Sequence, residues 1–498
     1  MKLGIDFGTS FSLVAINHLG TQIVLRPPEK YGVPSLFYYD ESDGVLIGEE
    51  AEEAGQGNQA KNLKREIKLE LNSTFIADGK AFSAKEIVGY ILDYVKEWSL
   101  QVAKTKLIDE PLEGVVISVP AAFEHNEKAF IREAAEIANS KGGPGLKVLG
   151  LIKEPVAAAL AYFNNTDLPD NTKILVYDLG GGTCDIAIVK SDEYAVEKYT
   201  VIDSDMIRVG GKNWDERLQN YISRELEKQS GISIYGNPAY TEKIKRAAMK
   251  AKHAFSEKRI GGEYRDKVKA KVEINGCNYT VEITKGILNE LTQEFLNKTI
   301  NMTKELINRN NNIHIEKFIC VGGMSNLPQV MEGIKKAFSD MDIRIFEPEM
   351  AIAKGAAIYA EFCEETGIAN YILSDIAQYS YGIRCYENYD TNSMHEVIIN
   401  LILKGDMLPK TEEHFFSTVK DNQSVLTFKV FESDKSVKKC AIDDVGDYIM
   451  EIKLPLPDDV PKNTPVKVNM TLTTDGLIEV VADDSKGHIS RAEKYLNY

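Results

Sequence analysis

The chain has 498 residues, too many for one compact core and enough for about three domains or subdomains. Its 43% hydrophobic and 27% charged residues, with 36 Gly and 16 Pro, exclude collagen-like, low-complexity and wholly disordered classes. Asp and Glu outnumber Lys and Arg by 75 to 59, and the resulting net charge of −16 argues against nucleic acid or an anionic membrane as a general partner.

The opening MKLGIDFGTS lacks the apolar run of a secretory signal, and no window approaches the roughly 20 apolar residues of a bilayer span. The cysteines (Cys184, Cys277, Cys320, Cys363, Cys385, Cys440) are far apart and lack zinc spacing, so they read as reduced, buried small hydrophobes. A soluble, cytoplasmic protein is expected.

The first element is a hairpin. Residues 4–16, GIDFGTSFSLVAI, give a short apolar strand, an Asp, a glycine turn with a Thr, and a second strand. A helix over Lys85–Thr105 follows, with Ile87, Ile91, Tyr94, Val95, Trp98 and Val102 on one stripe. The strand Gly114–Phe123 leads to a helix over Glu127–Asn139. Another helix spans Glu154–Phe163, with Pro155 in the first turn, where a missing N–H costs little. Residues 176–189, VYDLGGGTCDIAIV, then repeat the first pattern, with Asp178 placed 172 residues after Asp6. That offset is far beyond solenoid periods and predicts two large lobes, each holding a related hairpin.

Further helices are predicted at Thr241–Glu257, Lys285–Arg309, Leu327–Ser339 and Ala351–Glu365, an α/β architecture up to about residue 369. After Gly367 the texture changes to short apolar runs divided by Asp-Asn, Asp-Gly and Lys-Gly turns. This is the pattern of an all-β sandwich, with the boundary near Asn370–Ile376.

GIDFGTS and DLGGGT suit phosphate. Glycines let backbone N–H groups approach an anion, and the Thr or Ser hydroxyl adds a donor. The Asp beside each turn would repel phosphate unless Mg²⁺ or an organised water lies between. A third glycine pair, Gly322-Gly323, precedes Pro328 and reads either as an adenosine-side turn or as an ordinary strand-to-helix turn. Neither GxxxxGK[ST] nor a helix-opening GxGxxG occurs.

The ordered set GIDFGTS, VVISVPAAF, EPVAAALAY, VYDLGGGTCDIAIV, RVGGKNWD, CVGGMSNLP and EPEMAIAKGAA resembles the ATPase domain of the seventy-kilodalton heat-shock chaperones. FFSTVKDNQSVLTFKVFE and MTLTTDGLIEVVADDSKG resemble that family's peptide-binding sandwich. The resemblance implies a two-lobed, actin-like α/β ATPase domain over 1–369, a linker over 370–376, and a β-sandwich over 377–498 that ends before the family's helical lid. A peptide held without that lid should leave faster.

The same resemblance implies ATP or ADP with Mg²⁺ as ligands. Asp6, Asp178 and Asp185 would organise the metal and its waters. Thr9 and Ser10 in the first turn, with Gly180, Gly181, Gly182 and Thr183 in the second, would hold the β- and γ-phosphates, and Gly8 and Phe11 would also contact the nucleotide. Lys64 would neutralise charge on the transferred phosphoryl group, and Glu154 would position water. Met249, Lys252, His253, Ser256, Gly322, Gly323, Asn326 and Glu349 would surround the adenosine. His253 and Asn326 replace the two arginines that sandwich adenine in the family, which predicts weaker nucleotide affinity.

Pro120 matches a proline that relays nucleotide state, and Asp375 closes the linker Tyr371-Ile372-Leu373-Ser374-Asp375, where Ser374 weakens an apolar docking segment. Ile398, Phe416, Val419, Leu426 and Phe428 match the groove for an extended hydrophobic peptide, while strand periodicity alone reads them as core. The implied partners are such peptides, a J-domain co-chaperone and a nucleotide exchange factor. Gly150, standing where the family has the arginine that J-domains engage, weakens the second expectation. Three other readings stay open: a metabolite kinase of the same superfamily, a nucleotide-regulated scaffold with little turnover, and a filament-forming relative of actin.

Overall fold

A computed structural model describes residues 1–26, 31–121, 123, 125–137, 145–191, 199–234, 237–258, 262–363, 373–377, 379–387, 395–442, 446, 448–473 and 476–496. They fall into two compact units, one within 1–123, 130–191 and 202–367 and the other within 124–129, 192–201 and 368–498.

The first unit is organised by two mixed sheets. In one, β1 (Lys2–Phe7), β2 (Phe11–His18), β3 (Thr21–Val24), β4 (Val33–Pro34), β5 (Gly114–Val119) and β6 (Val148–Lys153) run in the order β6-β5-β1-β2-β3, with β4 also on β2. β1 is central: it pairs antiparallel with β2 (Gly4 opposite Ala15) and parallel with β5 (Lys2 opposite Gly114). Leu3, Ile5 and Phe7 are fully buried, as expected of a strand with partners on both sides. The other sheet carries β7 (Lys173–Leu179), β8 (Cys184–Ser191), β9 (Tyr199–Ile207), β10 (Lys317–Val321) and β11 (Ile343–Ile345), ordered β11-β10-β7-β8-β9. Each sheet has its own apolar core: Phe37, Phe82, Ile91 and Ile117 belong to the first, Tyr177, Trp214, Phe255 and Phe318 to the second.

Besides a short helix at Gly48–Ala54, the helices around these sheets are α1 (Ala84–Thr105), α2 (His125–Ile137), α3 (Glu154–Asn164), α4 (Gly211–Ser230), α5 (Pro238–Ser256), α6 (Lys285–Arg309), α7 (Pro328–Ala337) and α8 (Ala351–Phe362). Most match the predicted spans. α5 starts before the predicted Thr241, because the Asn237 side chain caps the Ala239 N–H at 3.0 Å. α7 stops at Ala337 instead of Ser339, and the predicted ends at Asn139 and Glu365 lie outside the described residues. α4 was not predicted as a helix, although Trp214, Leu218, Ile222 and Leu226 recur every fourth residue and are all fully buried.

α1 opens with a capping box in which Ser83 Oγ accepts from the Glu86 N–H at 3.2 Å and Glu86 Oε2 accepts from the Ser83 N–H at 2.8 Å. Ser83→Ala is expected to cost about 1 kcal/mol, read as a lower urea midpoint. Of the cysteines, Cys184, Cys320, Cys363 and Cys440 are buried as expected, but Cys277 is exposed at the start of a hairpin strand and Cys385 is half-buried.

In the second unit, β12 (Ser380–Glu387), β13 (His395–Ile402), β14 (Lys410–Ser417), β15 (Val425–Ser433), β16 (Lys439–Ala441), β17 (Tyr448–Pro455), β18 (Pro465–Leu472), β19 (Leu477–Asp483) and β20 (Ile489–Tyr495) form two antiparallel sheets. Their orders are β16-β13-β12-β15-β17 and β14-β18-β19-β20. Alternating residues, such as Val466, Val468, Met470 and Leu472 on β18, point into one shared core.

Candidate functional site

The two predicted hairpins form, each with four residues between its last paired positions: Phe7 opposite Ser12 in the first, Leu179 opposite Cys184 in the second. Their turns face each other closely. A Cβ on Gly181 would sit 2.7 Å from Ser10 Oγ, and one on Gly182 would sit 2.9 Å from Thr9 Oγ1, so any larger residue would close the gap. A third turn, Gly210-Gly211 at the start of α4, hydrogen-bonds onto the second: the Gly211 N–H donates to Gly180 O at 3.0 Å and the Lys212 N–H to Gly181 O at 2.8 Å. Gly322 adopts φ +79°, and a Cβ there would lie 2.4 Å from Asp178 Oδ1. Only glycine meets both demands.

A cavity of about 260 Å³ opens between these turns. Of the nucleotide-site residues expected from sequence, Gly8, Thr9, Ser10, Phe11, Asp6, Glu154, Asp178, Gly180, Gly181, Gly182, Thr183, Met249, Lys252, His253, Ser256, Gly322, Gly323, Asn326 and Glu349 line it. Lys64 and Asp185 do not. Asp185 is fully buried behind the wall, directly across the hairpin from Asp178. Lys64 is turned away: its ammonium pairs with Glu70 and sits 6.0 Å from the Phe75 ring centroid.

The lysine in the cavity is Lys68 and not the Lys64 expected from sequence. Its Nζ donates to Phe7 O and to Glu154 Oε1, both at 2.5 Å, and its side chain is 4% exposed. Glu66 adopts the left-handed conformation (φ 59°) and starts the 3₁₀ turn Ile67–Leu69, which swings Lys68 inward. Both lysines stand in the same Lys-rich stretch, so spacing alone does not choose between them. Asp215 and Tyr31 also line the cavity without having been singled out. Asp215 lay within the quoted RVGGKNWD, and its Oδ2 receives Lys252 Nζ at 2.6 Å while Lys252 also donates to Gly211 O at 3.0 Å.

Four carboxylates crowd around the single ammonium of Lys68. Burial, then the charge of Glu154, pushes Asp6 and Asp185 each up to about 7. Burial, Glu154 and Asp185 hold Asp178 well above the ordinary carboxylate range. Asp178 Oδ1 and Asp185 Oδ2 are buried without a hydrogen-bond partner. Asp6 Oδ1 accepts from Ser118 Oγ at 3.1 Å, and Asp185 Oδ1 from the Ala121 N–H at 2.7 Å. Such a cluster is short of positive charge and fits a divalent cation. Among the described residues no three His, Cys, Asp or Glu side chains are placed to ligate one ion directly, so the fit is to a cation held through water.

Pro120 is buried between Ser118 and Ala121, which touch Asp6 and Asp185 respectively. Burial, then the charge of Lys252, lowers the pKa of His253 and favours its neutral imidazole. Gly150 is buried in β6, and a Cβ there would lie 3.2 Å from the Tyr359 ring, so this position offers no surface handle.

In the second unit, Ile398, Leu426 and Phe428 are buried, Leu426 and Phe428 within the shared core. Phe416 is half-buried, its ring 5.6 Å from Phe428, and the Val419 N–H donates to Gln423 Oε1 at 2.9 Å. Asp375 falls in the short strand Leu373–Ile376, and positions 370–372 of the predicted linker lie outside the described residues. No helix among the described residues is long and apolar enough to cross a membrane.

Compared with known protein families, residues 67–496 match the family described as Hsp70 protein. The match spans most of the chain and includes the second glycine turn, the carboxylates Asp178 and Asp185, and both sheets of the second unit. The chain belongs to the Hsp70 protein family.

Proposed function

We propose that this chain is an ATP-dependent chaperone: a two-lobed, actin-like ATPase unit that hydrolyses ATP slowly, coupled to a β-sandwich that binds extended apolar peptide segments. The observation that carries the reading is the pair of opposed glycine turns, with Asp6, Asp178, Lys68 and Glu154 around one cavity. Family membership supports the chaperone part.

Within this reading the backbone N–H groups and hydroxyls of Thr9, Ser10 and Gly180–Thr183 bind the β- and γ-phosphates. When bound, Mg²⁺ would spread the phosphate charge, its waters held by Asp6, Asp178 and Asp185. Lys68, with one N–H left beyond its bonds to Phe7 O and Glu154, donates to the γ-phosphate and offsets charge developing there. Glu154, released from part of its ion pair, orients the attacking water. Lys64, outside the cavity and tied to Glu70, has no such role in this reading. Pro120 bridges the residues that touch Asp6 and Asp185, a short route by which phosphate occupancy could shift the strand end. The peptide unit and Asp375 complete the coupling.

The test is fluorescence anisotropy of a short labelled peptide rich in Leu and Val, recorded with ADP and Mg²⁺ and again after adding ATP. Binding in ADP that is lost on ATP addition is the expected result. No peptide binding in either state would overturn the chaperone reading, and absence of ATP hydrolysis would overturn the ATPase reading.

A further inference from the structure

Behind the cavity wall, the core of the second sheet holds a polar cluster. Trp214 and Thr292 are fully buried and Gln329 is 5% exposed, in the core that also holds Leu288, Phe295 and Leu327. Gln329 Oε1 accepts from Trp214 Nε1 at 3.0 Å and from Thr292 Oγ1 at 2.9 Å, while Gln329 Nε2 donates to Asn289 O at 3.5 Å. One amide thus joins three helices: α4 through Trp214, α6 through Thr292 and Asn289, and α7 through itself. For stability alone, an apolar pair of matching shape would serve nearly as well. What a paired, buried network adds is one fixed arrangement of the parts it joins.

Two of those parts end at the cavity. Trp214 stands in the opening turn of α4 between Gly211 and Asp215, and both of these line the cavity. Gln329 stands in the opening turn of α7, just after Gly322, Gly323, Met324 and Asn326, which line it too. The two turns also touch, since a Cβ on Gly211 would lie 3.1 Å from Met324 Sδ. Trp214 and Gln329 themselves are not among the described residues of the lining.

We propose that Gln329 is a positioning residue of this site: through Trp214 it fixes the start of α4 against the turn before α7, and so sets how tightly nucleotide is held. The inference rests on the nucleotide reading above and adds a residue that touches no nucleotide. Lys68 and Glu154, which act on the phosphoryl group in that reading, belong to other elements. The tie therefore governs binding and not the chemical step.

The test is ATP hydrolysis kinetics and calorimetric titration with ADP and Mg²⁺ on the full chain, unsubstituted and as Gln329→Met, which keeps the side-chain length and removes the amide. KM for ATP and Kd for ADP are each expected to rise about 10-fold with kcat held within about twofold, the pattern of lost uniform binding. Ile222→Val, which trims a fully buried side chain farther along α4, is the stability control: its melting temperature is expected to fall while KM stays. Unchanged KM in Gln329→Met, a loss seen in kcat instead, or an equal KM rise in Ile222→Val would overturn the inference and leave the nucleotide reading standing. Failure of the unsubstituted protein to bind ADP would overturn the nucleotide reading and this inference with it. If Gln329→Met does not fold, Trp214→Phe, which removes the indole donor, carries the same measurement with the same expected rise in KM.

Discussion

Lys68→Ala is expected to slow ATP turnover by about 100- to 1,000-fold while nucleotide still binds, the scale of removing one preorganised charge from a phosphoryl-transfer site. The expectation comes from where each lysine points. Lys68 Nζ lies 2.5 Å from Glu154 Oε1 with almost no solvent around it, so its charge acts in a low-dielectric setting. Lys64 is paired with a half-exposed glutamate outside the cavity, where water screens it. Single-turnover hydrolysis for Lys68→Ala and Lys64→Ala decides the matter. A fall confined to Lys64→Ala would return the role to Lys64, as the sequence alone suggested. Lys68→Ala also strands Glu154 among Asp6, Asp178 and Asp185, so its thermal midpoint is expected to drop.

Without ligand, the protein is expected to lose stability as pH rises through neutrality, the reverse of ordinary acid denaturation. Asp6 and Asp185 each rise from 3.8 to about 7, chiefly through burial and next through Glu154. Between these values the folded protein holds protons that the unfolded chain has released. The stabilising contribution is complete below about 3.8 and vanishes as pH climbs through about 7. For the two groups together the effect is on the order of several kcal/mol. Urea midpoints at mildly acidic and mildly alkaline pH measure it. Mg²⁺ with ADP is expected to flatten the slope by supplying the missing positive charge, and so is the double substitution Asp6→Asn, Asp185→Asn. A profile that rises through neutrality in the ligand-free protein would contradict the carboxylate cluster as described.

Much of this site was legible in the residues themselves. Two strand–Asp–glycine–Thr patterns predicted two hairpins, and both formed with their turns on one cavity. Such turns are local: the residues that shape them are adjacent in sequence. What was missed depended on longer-range geometry. The choice between Lys64 and Lys68 turned on the left-handed backbone at Glu66, a conformation no propensity assigns to a glutamate there. α4 begins at a glycine pair, and the fourfold spacing of Trp214, Leu218, Ile222 and Leu226 lay outside the predicted helices. Strand alternation put Ile398, Leu426 and Phe428 on an inward face, but period two gives the same pattern for a core and for a groove.

The position of β1 has a consequence for how the chain is made. Its antiparallel partner β2 follows within a few residues, but its parallel partner β5 begins at Gly114, across from Lys2. At a ribosomal rate of roughly 5–20 residues per second, the far edge of β1 waits on the order of ten seconds before its neighbour emerges. Throughout that interval β1, with Leu3, Ile5 and Phe7, lies at the edge of the small sheet it forms with β2, β3 and β4, its outer backbone N–H and C=O groups unpaired. The nascent chain of a proposed binder of unfolded segments is thus, until β5 emerges, itself a segment of that kind.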